Sequence, residues 1–339
     1  MLLAAPRGFC AGVEMAIKAL AWMIRVFQPP VYCYHEIVHN RLVVDRFRRL
    51  GVVFVDDVGE VPPGAPLMLS AHGSAPEVLA AARGTGGFVV DAVCPLVTKV
   101  HHEVKVRAGK GYSILYVGHE GHDEAVGTMA VAPESIHLVE SEDDVARLPD
   151  EERPVALLAQ TTLSHHDWAG VLAAARERFP ELWMPGRSDL CFATTNRQTA
   201  LVEIAGRADA IVVLGSANSS NTVALEKVAR AAGCSRVYRV NAASELPDNL
   251  SGTVGVTAGA SAPEDLVRDV IERLGPAQGV EEVLVTEEDE YFPQPRELRD
   301  LLGGIDAVVS LTLGGPPPPA ALGDDRELAA SDVLDALAG

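Results

Sequence analysis

Three features of the sequence predict an α/β fold of three similar modules in a pseudo-threefold arrangement. Short apolar strands alternate with helix-compatible segments along most of the chain, the pattern of parallel sheets with crossover helices. Three apolar stretches run into tight turns that carry a cysteine at the mouth of a helix: Cys10, Cys94 and Cys191. Later strands in each stretch end on His, Ser, Asn or Thr, residue types suited to the carboxyl edge of a parallel sheet, where ligands bind. The expected modules are residues 1–90, 91–187 and 188–285, followed by an extended closing segment, 286–302, and a Pro/Ala/Asp-rich tail, 303–339, expected to be flexible and peripheral. One continuous doubly wound sheet fits the spacing nearly as well.

In order, Met1 to Ala5 reads as a strand, and the Gly8-Phe-Cys-Ala-Gly12 turn has glycines that permit tight backbone geometry. A helix follows to about Phe27, broken by Pro29-Pro30. Val31 to Tyr34 is a strand closed by His35-Glu-Ile-Val-His-Asn40, and a helix covers about Arg41 to Leu50. Val52 to Val55 and Leu67 to Ser70 are strands, the second ending in Ala71-His72-Gly73, and Glu77 to Arg83 is a helix. The middle module opens on the strand before Cys94, with Pro95 where a first-turn proline is tolerated. Its later strands are Ser113 to Val117, ending in Gly118-His-Glu-Gly-His-Asp-Glu124, then Ile136 to Val139, then Val155 to Leu158, ending in Gln160-Thr-Thr-Leu-Ser164.

The third module opens at Ser188-Asp-Leu-Cys191, with a helix from Thr199 to Ala208. Ala210 to Leu214 is a strand ending in Gly215-Ser-Ala-Asn-Ser-Ser-Asn221, with a helix from Thr222 to about Ala232. Ser235 to Val240 and Thr253 to Thr257 are strands, the second ending in Ala258-Gly-Ala-Ser-Ala-Pro263. Glu264 and Asp265 then favour a helix N-terminus. Beyond it come a strand-like Val283 to Thr286, the acidic run Glu287-Glu-Asp-Glu290, an extended Tyr291 to Pro295, and a short helix from about Arg326 to Leu337.

The 339 residues are 48% hydrophobic and carry a formal net charge of −19. A large aliphatic core is therefore available, and nonspecific nucleic-acid binding, which needs a basic surface, is excluded. An anionic ligand must be held by local neutral donors and histidines against an unfavourable field. The five cysteines, including Cys33 and Cys234, are odd in number and widely spaced, unlike a disulfide framework. Without a basic n-region or an apolar run long enough to cross a bilayer, a cytoplasmic location is expected, where thiols stay reduced.

Three cysteines in matching turns point to an iron–sulfur cluster or a zinc site. Zinc sites usually draw two ligands from one local pair, and here every ligand is remote. A 4Fe–4S cluster with three Cys ligands leaves one iron open to substrate. The plainer alternative is that each is a small buried hydrophobe, the reading preferred for Cys33 and Cys234. His39, His72, His122, Ser219, Ser220, Asn221 and Ser261 all fall at expected strand ends, several before helices whose amides bind anions, a set suited to a diphosphate. Structural histidines and helix capping by Ser219 explain the same residues singly. Glu124 beside a dry anionic ligand would have a raised pKa and donate a proton, with Thr161 and Thr162 as relays. On the bare sequence a solvated loop carboxylate is the plainer reading.

Taken together, Pro6-Arg-Gly-Phe-Cys-Ala-Gly-Val13, the segments ending at Asn40, Gly73, Glu124, Ser164, Asn221 and Pro263, Asp91-Ala-Val-Cys-Pro-Leu-Val97 and Cys191-Phe-Ala-Thr-Thr-Asn-Arg197 make the chain resemble the 4-hydroxy-3-methylbut-2-enyl diphosphate reductases from Met1 to about Arg299. The resemblance implies a trilobed α/β fold around a 4Fe–4S cluster held by Cys10, Cys94 and Cys191, and a diphosphate pocket from His39, His72, Ser219, Ser220, Asn221 and Ser261. His122, Glu124 and Thr161 would surround the substrate hydroxyl, with Glu124 as proton donor. The implied reaction is a two-electron reductive dehydroxylation giving isopentenyl and dimethylallyl diphosphate, with reduced ferredoxin or flavodoxin as electron donor. A cluster-dependent hydro-lyase and a non-catalytic iron–sulfur regulator are the alternatives. Asp123, Met15 and Tyr34 depart from the family pattern, and Asp123 is expected to add charge beside Glu124.

Overall fold

The computed structural model describes residues 1–313 and 325–338; the stretch of the expected tail between them lies outside the described residues. The chain begins β1 (Leu2–Ala5), α1 (Ala11–Val26), β2 (Val31–Tyr34), α2 (Arg41–Arg49), β3 (Val52–Val55), β4 (Leu67–Leu69), α3 (Pro76–Gly84) and β5 (Val89–Asp91). It continues α4 (Pro95–Gly109), β6 (Ser113–Val117), α5 (Asp123–Met129), β7 (Ile136–Val139), α6 (Glu142–Arg147), β8 (Val155–Ala159) and α7 (His165–Arg178). Then come α8 (Phe192–Ala205), β9 (Ala210–Leu214), α9 (Ser220–Ala231), β10 (Val237–Val240), β11 (Val254–Ala258), α10 (Glu264–Leu274), β12 (Glu281–Leu284), α11 (Arg296–Leu313) and α12 (Ala330–Ala338).

These elements form two compact units. The first comprises Met1–Cys10, His72–Pro76 and Pro95–Glu288. It holds a five-stranded sheet of order β10-β9-β11-β1-β12 and a three-stranded sheet of order β7-β6-β8, both parallel. The smaller sheet is buried on both faces along β6 and β8, whose residues are apolar apart from Ser113. Leu115, Val117, Leu157 and Ala159 point into one apolar cluster with Val171 and Ala175 of α7. Ile114, Tyr116, Ala156 and Leu158 point into the opposite cluster with Val100 and Val104 of α4, the period-two alternation of a strand. In the larger sheet Leu2, Ala4, Ile211 and Val213 pack beneath Ala200, Leu201 and Ile204 of α8 and Leu225 of α9. Cys234 belongs to that apolar cluster, as the sequence suggested.

The second unit comprises Ala11–Ala71, Glu77–Cys94 and Asp289–Gly339. Its sheet has the order β3-β2-β4-β5, again parallel. Leu67, Leu69, Val55 and Ala82 form its core on one face. Cys33 is fully buried in β2, and burial raises its thiol pKa.

Three parallel sheets are thus present among the described residues, but strand membership differs from the expected boundaries. β1, expected to open the first module, pairs with β11 (Leu2 opposite Gly255) and β12 (Leu2 opposite Glu281). β5, expected to open the second, pairs with β4 (Leu67 opposite Val89). The segment before Cys191 bridges to β8 through Trp183 and Ala156. Each cysteine turn therefore follows a segment of one sheet, and the helices after Cys94 and Cys191 pack on another: α4 lies on β6 and β8, and α8 on β1 and β11. Spacing locates a strand–turn–helix unit; which strands pair depends on non-local apolar complementarity, and the all-apolar β1 takes an interior place in the larger sheet.

The closing segment also differs. It is extended only as far as Pro295, and α11 runs through the expected boundary at residue 302. The last helix begins at Ala330 and packs on α1, with Ala330 and Leu334 buried. Polar anchors hold it: the Glu14 carboxylate accepts the Ala330 N–H at 2.7 Å, and Lys18 Nζ donates to the Asp325 carbonyl at 3.2 Å. The buried Asp325 carboxylate accepts from the Tyr291 hydroxyl at 2.9 Å and from the Gln294 side-chain amide. An Ala- and Asp-rich composition says nothing of such partners. Asp325→Ala is expected to remove about 2–4 kcal/mol of stability by leaving these donors unpaired. A urea-unfolding midpoint equal to that of the unmodified chain would show the anchor to be superficial.

Candidate active site

In the first unit the parallel strands bring most of the predicted site residues to sheet carboxyl edges. From the larger sheet, β1 leads to Cys10, β9 to Ser219, Ser220 and Asn221, and β11 to Ser261. The turns are tied across the edge: Gly8 N–H donates to Ala258 O at 3.3 Å, and Cys10 N–H to Ala260 O at 3.2 Å. Gly8 has φ +68°, and a side chain there would also meet the Ala262 carbonyl at 3.3 Å, so glycine is favoured. From the smaller sheet, β6 leads to His122 and Glu124, and β8 to Gln160 and Thr161. Cross-links join the two edges within this unit: Cys191 N–H donates to Thr161 O at 3.0 Å, Gln160 Nε2 to Ser220 Oγ at 3.3 Å, and Asn221 Nδ2 to Thr194 Oγ1 at 3.2 Å.

Glu124 is 2% exposed, which corrects the plainer sequence reading of a solvated loop carboxylate. His122 is the N-cap of α5, its Nδ1 accepting the Glu124 N–H at 3.1 Å, and this places Glu124 in the first helical turn. The same bond leaves Nε2 as the proton-bearing nitrogen of a neutral His122 ring. Thr161 fixes the carboxyl group with two bonds, its N–H to Oε1 at 2.7 Å and its hydroxyl to Oε2 at 3.0 Å. Burial pushes the Glu124 carboxyl up to about 7, against the pull of the two Thr161 bonds and with a smaller push from the Asp189 charge. The result is a fixed carboxylic acid that holds a proton near neutral pH, the property required of a general acid.

Cys10 and Cys191 are half-buried thiols outside any disulfide, as is Cys94 in the second unit. Cys191 is the N-cap of α8: its Sγ accepts the Thr194 N–H at 3.2 Å and lies 3.0 Å from Thr194 Oγ1. Burial, and then repulsion from Cys10, push its thiol up to about 12. Two sulfurs close enough to oppose each other's ionisation, one of them already accepting a backbone N–H, form a donor set that is unfavourable empty and favourable around a multivalent cation. The cysteines present therefore fit a thiolate-ligated metal group.

The anion-binding candidates divide between the units. Ser219 caps α9 through the Thr222 N–H at 3.4 Å, and Ser261 Oγ donates to Ser219 Oγ at 3.4 Å. Asn221 Oδ1 accepts the Ala260 N–H at 2.9 Å. His72 lies with Nδ1 3.8 Å from Asp123 Oδ2 and its ring edge-on to His122 at 6.1 Å. Gly127 permits that approach, since a side chain there would meet the Gly73 carbonyl at 2.7 Å. His39 belongs to the second unit, with Nδ1 3.4 Å from Glu36 Oε2, and the buried Asn40 beside it caps α2. In the same unit Cys94 N–H donates to Ala71 O at 3.0 Å, and Ala71 N–H to Ile37 O at 3.3 Å.

The three departures from the family pattern have local accounts. Asp123 faces His72, and the raised Glu124 pKa is caused first by burial, with a smaller push from the Asp189 charge. Met15 is buried in α1. Tyr34 stacks on His35 at 4.0 Å, where His35 adopts φ 57°.

Several supporting residues carried no role in the sequence reading. Gln160, fully buried, accepts the His119 N–H at 2.9 Å and donates to Thr162 Oγ1 at 3.0 Å. Thr162 is thereby a partner of Gln160, whereas Glu124 is held by Thr161. Asp189, two residues before Cys191, joins Lys99 Nζ at 3.2 Å and the Ala159 N–H at 3.2 Å, pinning the Cys191 turn to the end of β8. A polar residue that repeatedly interrupts apolar sequence at a strand end is the only trace such residues leave in one sequence.

Comparison with known proteins follows the same line. The family model for LytB protein matches residues 1–275. A 4-hydroxy-3-methylbut-2-enyl diphosphate reductase from Rhodopirellula baltica is 50% identical over 305 residues, covering 88% of this chain and 95% of the relative. The solved structure of the E-1-hydroxy-2-methyl-but-2-enyl-4-diphosphate reductase from Plasmodium falciparum matches with a TM-score of 0.87 at 32% identity, over 90% of this chain and 98% of that one. A second solved structure, described as (E)-4-hydroxy-3-methyl-but-2-enyl diphosphate reductase, the terminal enzyme of the non-mevalonate pathway, matches at 30% identity with a TM-score of 0.60 over 80% of this chain and 98% of that one. With the family model spanning most of its length and relatives covering nearly all of theirs, the chain belongs to the LytB family.

Proposed function

We propose that this chain reduces (E)-4-hydroxy-3-methylbut-2-enyl diphosphate to isopentenyl and dimethylallyl diphosphate, the last step of the non-mevalonate isoprenoid pathway. The observation that carries the reading is Glu124, a buried, doubly hydrogen-bonded carboxylic acid in one unit with the Cys10 and Cys191 turns. The overall change consumes two electrons and two protons: the allylic C–O bond breaks, water leaves, and a C–H bond forms at either end of the allyl unit. A bound 4Fe–4S cluster, held by Cys10, Cys94 and Cys191 with one iron open, would supply the electrons and Lewis-acid activation of the hydroxyl.

The protein side chains do the rest. Glu124 gives its proton to the departing oxygen, because hydroxide is a poor leaving group and water a good one. Thr161 holds the carboxyl group in one orientation, and His122, through Nε2–H, donates a hydrogen bond at the same end of the substrate. His39, His72, Ser219, Ser220, Asn221 and Ser261 would bind the diphosphate with neutral or weakly cationic donors, as a chain of net charge −19 requires. A reduced ferredoxin or flavodoxin is the proposed electron donor, and the cytoplasm the proposed location; among the described residues no helix is long and apolar enough to cross a membrane.

The test is anaerobic turnover of the substrate with reduced viologen, with iron and sulfide counted in the same sample. Viologen oxidation with five-carbon diphosphate products is the expected result. A full cluster with no reduction of substrate would refute the assignment.

A further inference from the structure

Arg197 is 1% exposed, and all five of its N–H donors are used. Nε donates to Gly8 O at 3.1 Å, and Nη2 donates to Gly8 O at 2.8 Å and Phe9 O at 3.2 Å. Nη1 donates to Ala193 O at 3.0 Å and meets both oxygens of Glu288 at 3.0 Å. The two carbonyls immediately before Cys10 and the carbonyl two residues after Cys191 therefore converge on one guanidinium. Asn196 Nδ2 also donates to Glu288 Oε1, at 2.9 Å. Glu288 lies in the acidic run after β12, which composition alone would leave in solvent; its side chain is only 14% exposed.

A planar fork of fixed donors can hold three carbonyls and a carboxylate at set angles, and a lysine ammonium cannot. A guanidinium taken out of water needs a countercharge, and Glu288 supplies it. We propose that Arg197 is a positioning residue that holds the Cys10 turn and the first turn of α8 in fixed register, and that Glu288 is the latch keeping it there. Resting on the reading of Cys10 and Cys191 as cluster ligands, the clamp sets the spacing of two thiolates before any iron arrives. The region after β12 then serves the site through Glu288.

Amide hydrogen exchange on the cluster-free chain tests the clamp directly. Arg197→Met and Glu288→Ala are expected to speed exchange about tenfold or more in peptides covering Phe9 to Gly12 and Phe192 to Thr195, while peptides of the three-stranded sheet keep their rates. The double substitution should add little to the worse single one, because both remove one shared contact. Glu288→Gln retains an acceptor oxygen for Nη1 and should recover most of the protection; Arg197→Lys should not. On chain loaded anaerobically with iron and sulfide, Arg197→Met and Glu288→Ala are expected to speed iron loss to a chelator about tenfold, the scale of outer-sphere effects on metal sites. Unchanged exchange in the two peptides would overturn the proposal. So would uniform acceleration across the chain, which marks a role in global stability alone. If Arg197→Met does not fold, Glu288→Ala compared with Glu288→Gln decides. A chain that takes up no iron refutes the cluster reading, while the exchange pattern still decides the clamp.

Discussion

Replacing Glu124 with glutamine is expected to lower turnover by about 10²–10⁴-fold, the usual contribution of a positioned general acid, while iron and sulfide contents stay at those of the unmodified chain. Glutamine fills the same space and keeps an oxygen for the Thr161 N–H, so the packing around the site survives and only the transferable proton is lost. Activity within a few-fold of the unmodified chain would refute the role of Glu124 as the proton donor. The pH dependence carries an independent check. The carboxyl titrates near 7 in the folded chain, raised by burial from an ordinary 4.5. The folded state thus binds this proton more tightly than the unfolded state. The resulting stability is complete below about 4.5 and is lost as pH rises through 7. An acid that must be protonated follows the same limb, so kcat/KM should fall above pH 7. Thr161→Val removes a hydrogen bond that favours the carboxylate, and should move that limb to higher pH. A limb that moves the other way would show that Thr161 does not act on this proton.

Cys191→Ser is expected to abolish stable cluster binding and turnover without unfolding the chain. Cys191 does two things in the structure: its sulfur faces Cys10, and it caps α8 through the Thr194 N–H. Serine is among the best N-cap residues, so the substitution preserves the cap and removes the soft ligand. Cys191→Ala should lose both, adding about 1 kcal/mol of helix destabilisation. Iron content after anaerobic reconstitution, read beside the thermal midpoint of the cluster-free chain, separates the two roles. Retention of full iron content by the serine variant would show that Cys191 is a structural cap alone.

Much of this site was legible in the sequence because the chemistry is carried by residue types that apolar strands rarely tolerate. Cys10, Cys94 and Cys191 stood out by matching contexts, and Ser219, Asn221 and Ser261 by their places after apolar strands. The burial of Glu124 was not legible: His122 and Glu124 sit in a glycine-flanked, acidic stretch that reads as solvated. Glu124 is enclosed because β8 brings Thr161 alongside, a contact between residues 37 apart in sequence. Nor was the partner of Asp123 legible, since side-chain direction matters more than proximity along the chain, and Asp123 points to His72. The closing segment reads as extended and the tail as a linker with a short helix, yet Glu288 in the one and Asp325 in the other make polar contacts that composition does not encode.

By itself the sequence determined the α/β class, the cysteine-bearing turns, most of the strands that place the polar groups, and the family. Those properties follow from local periodicity and from residue types that have few other uses. Only the tertiary structure decided that β1 pairs with β11 and β12, that Glu124 is dry and proton-holding, and that one buried arginine ties two cysteine turns together. Each of these is a contact between segments far apart in the chain. Its free energy depends on which surfaces meet and on the water excluded between them, and no single stretch of sequence contains either.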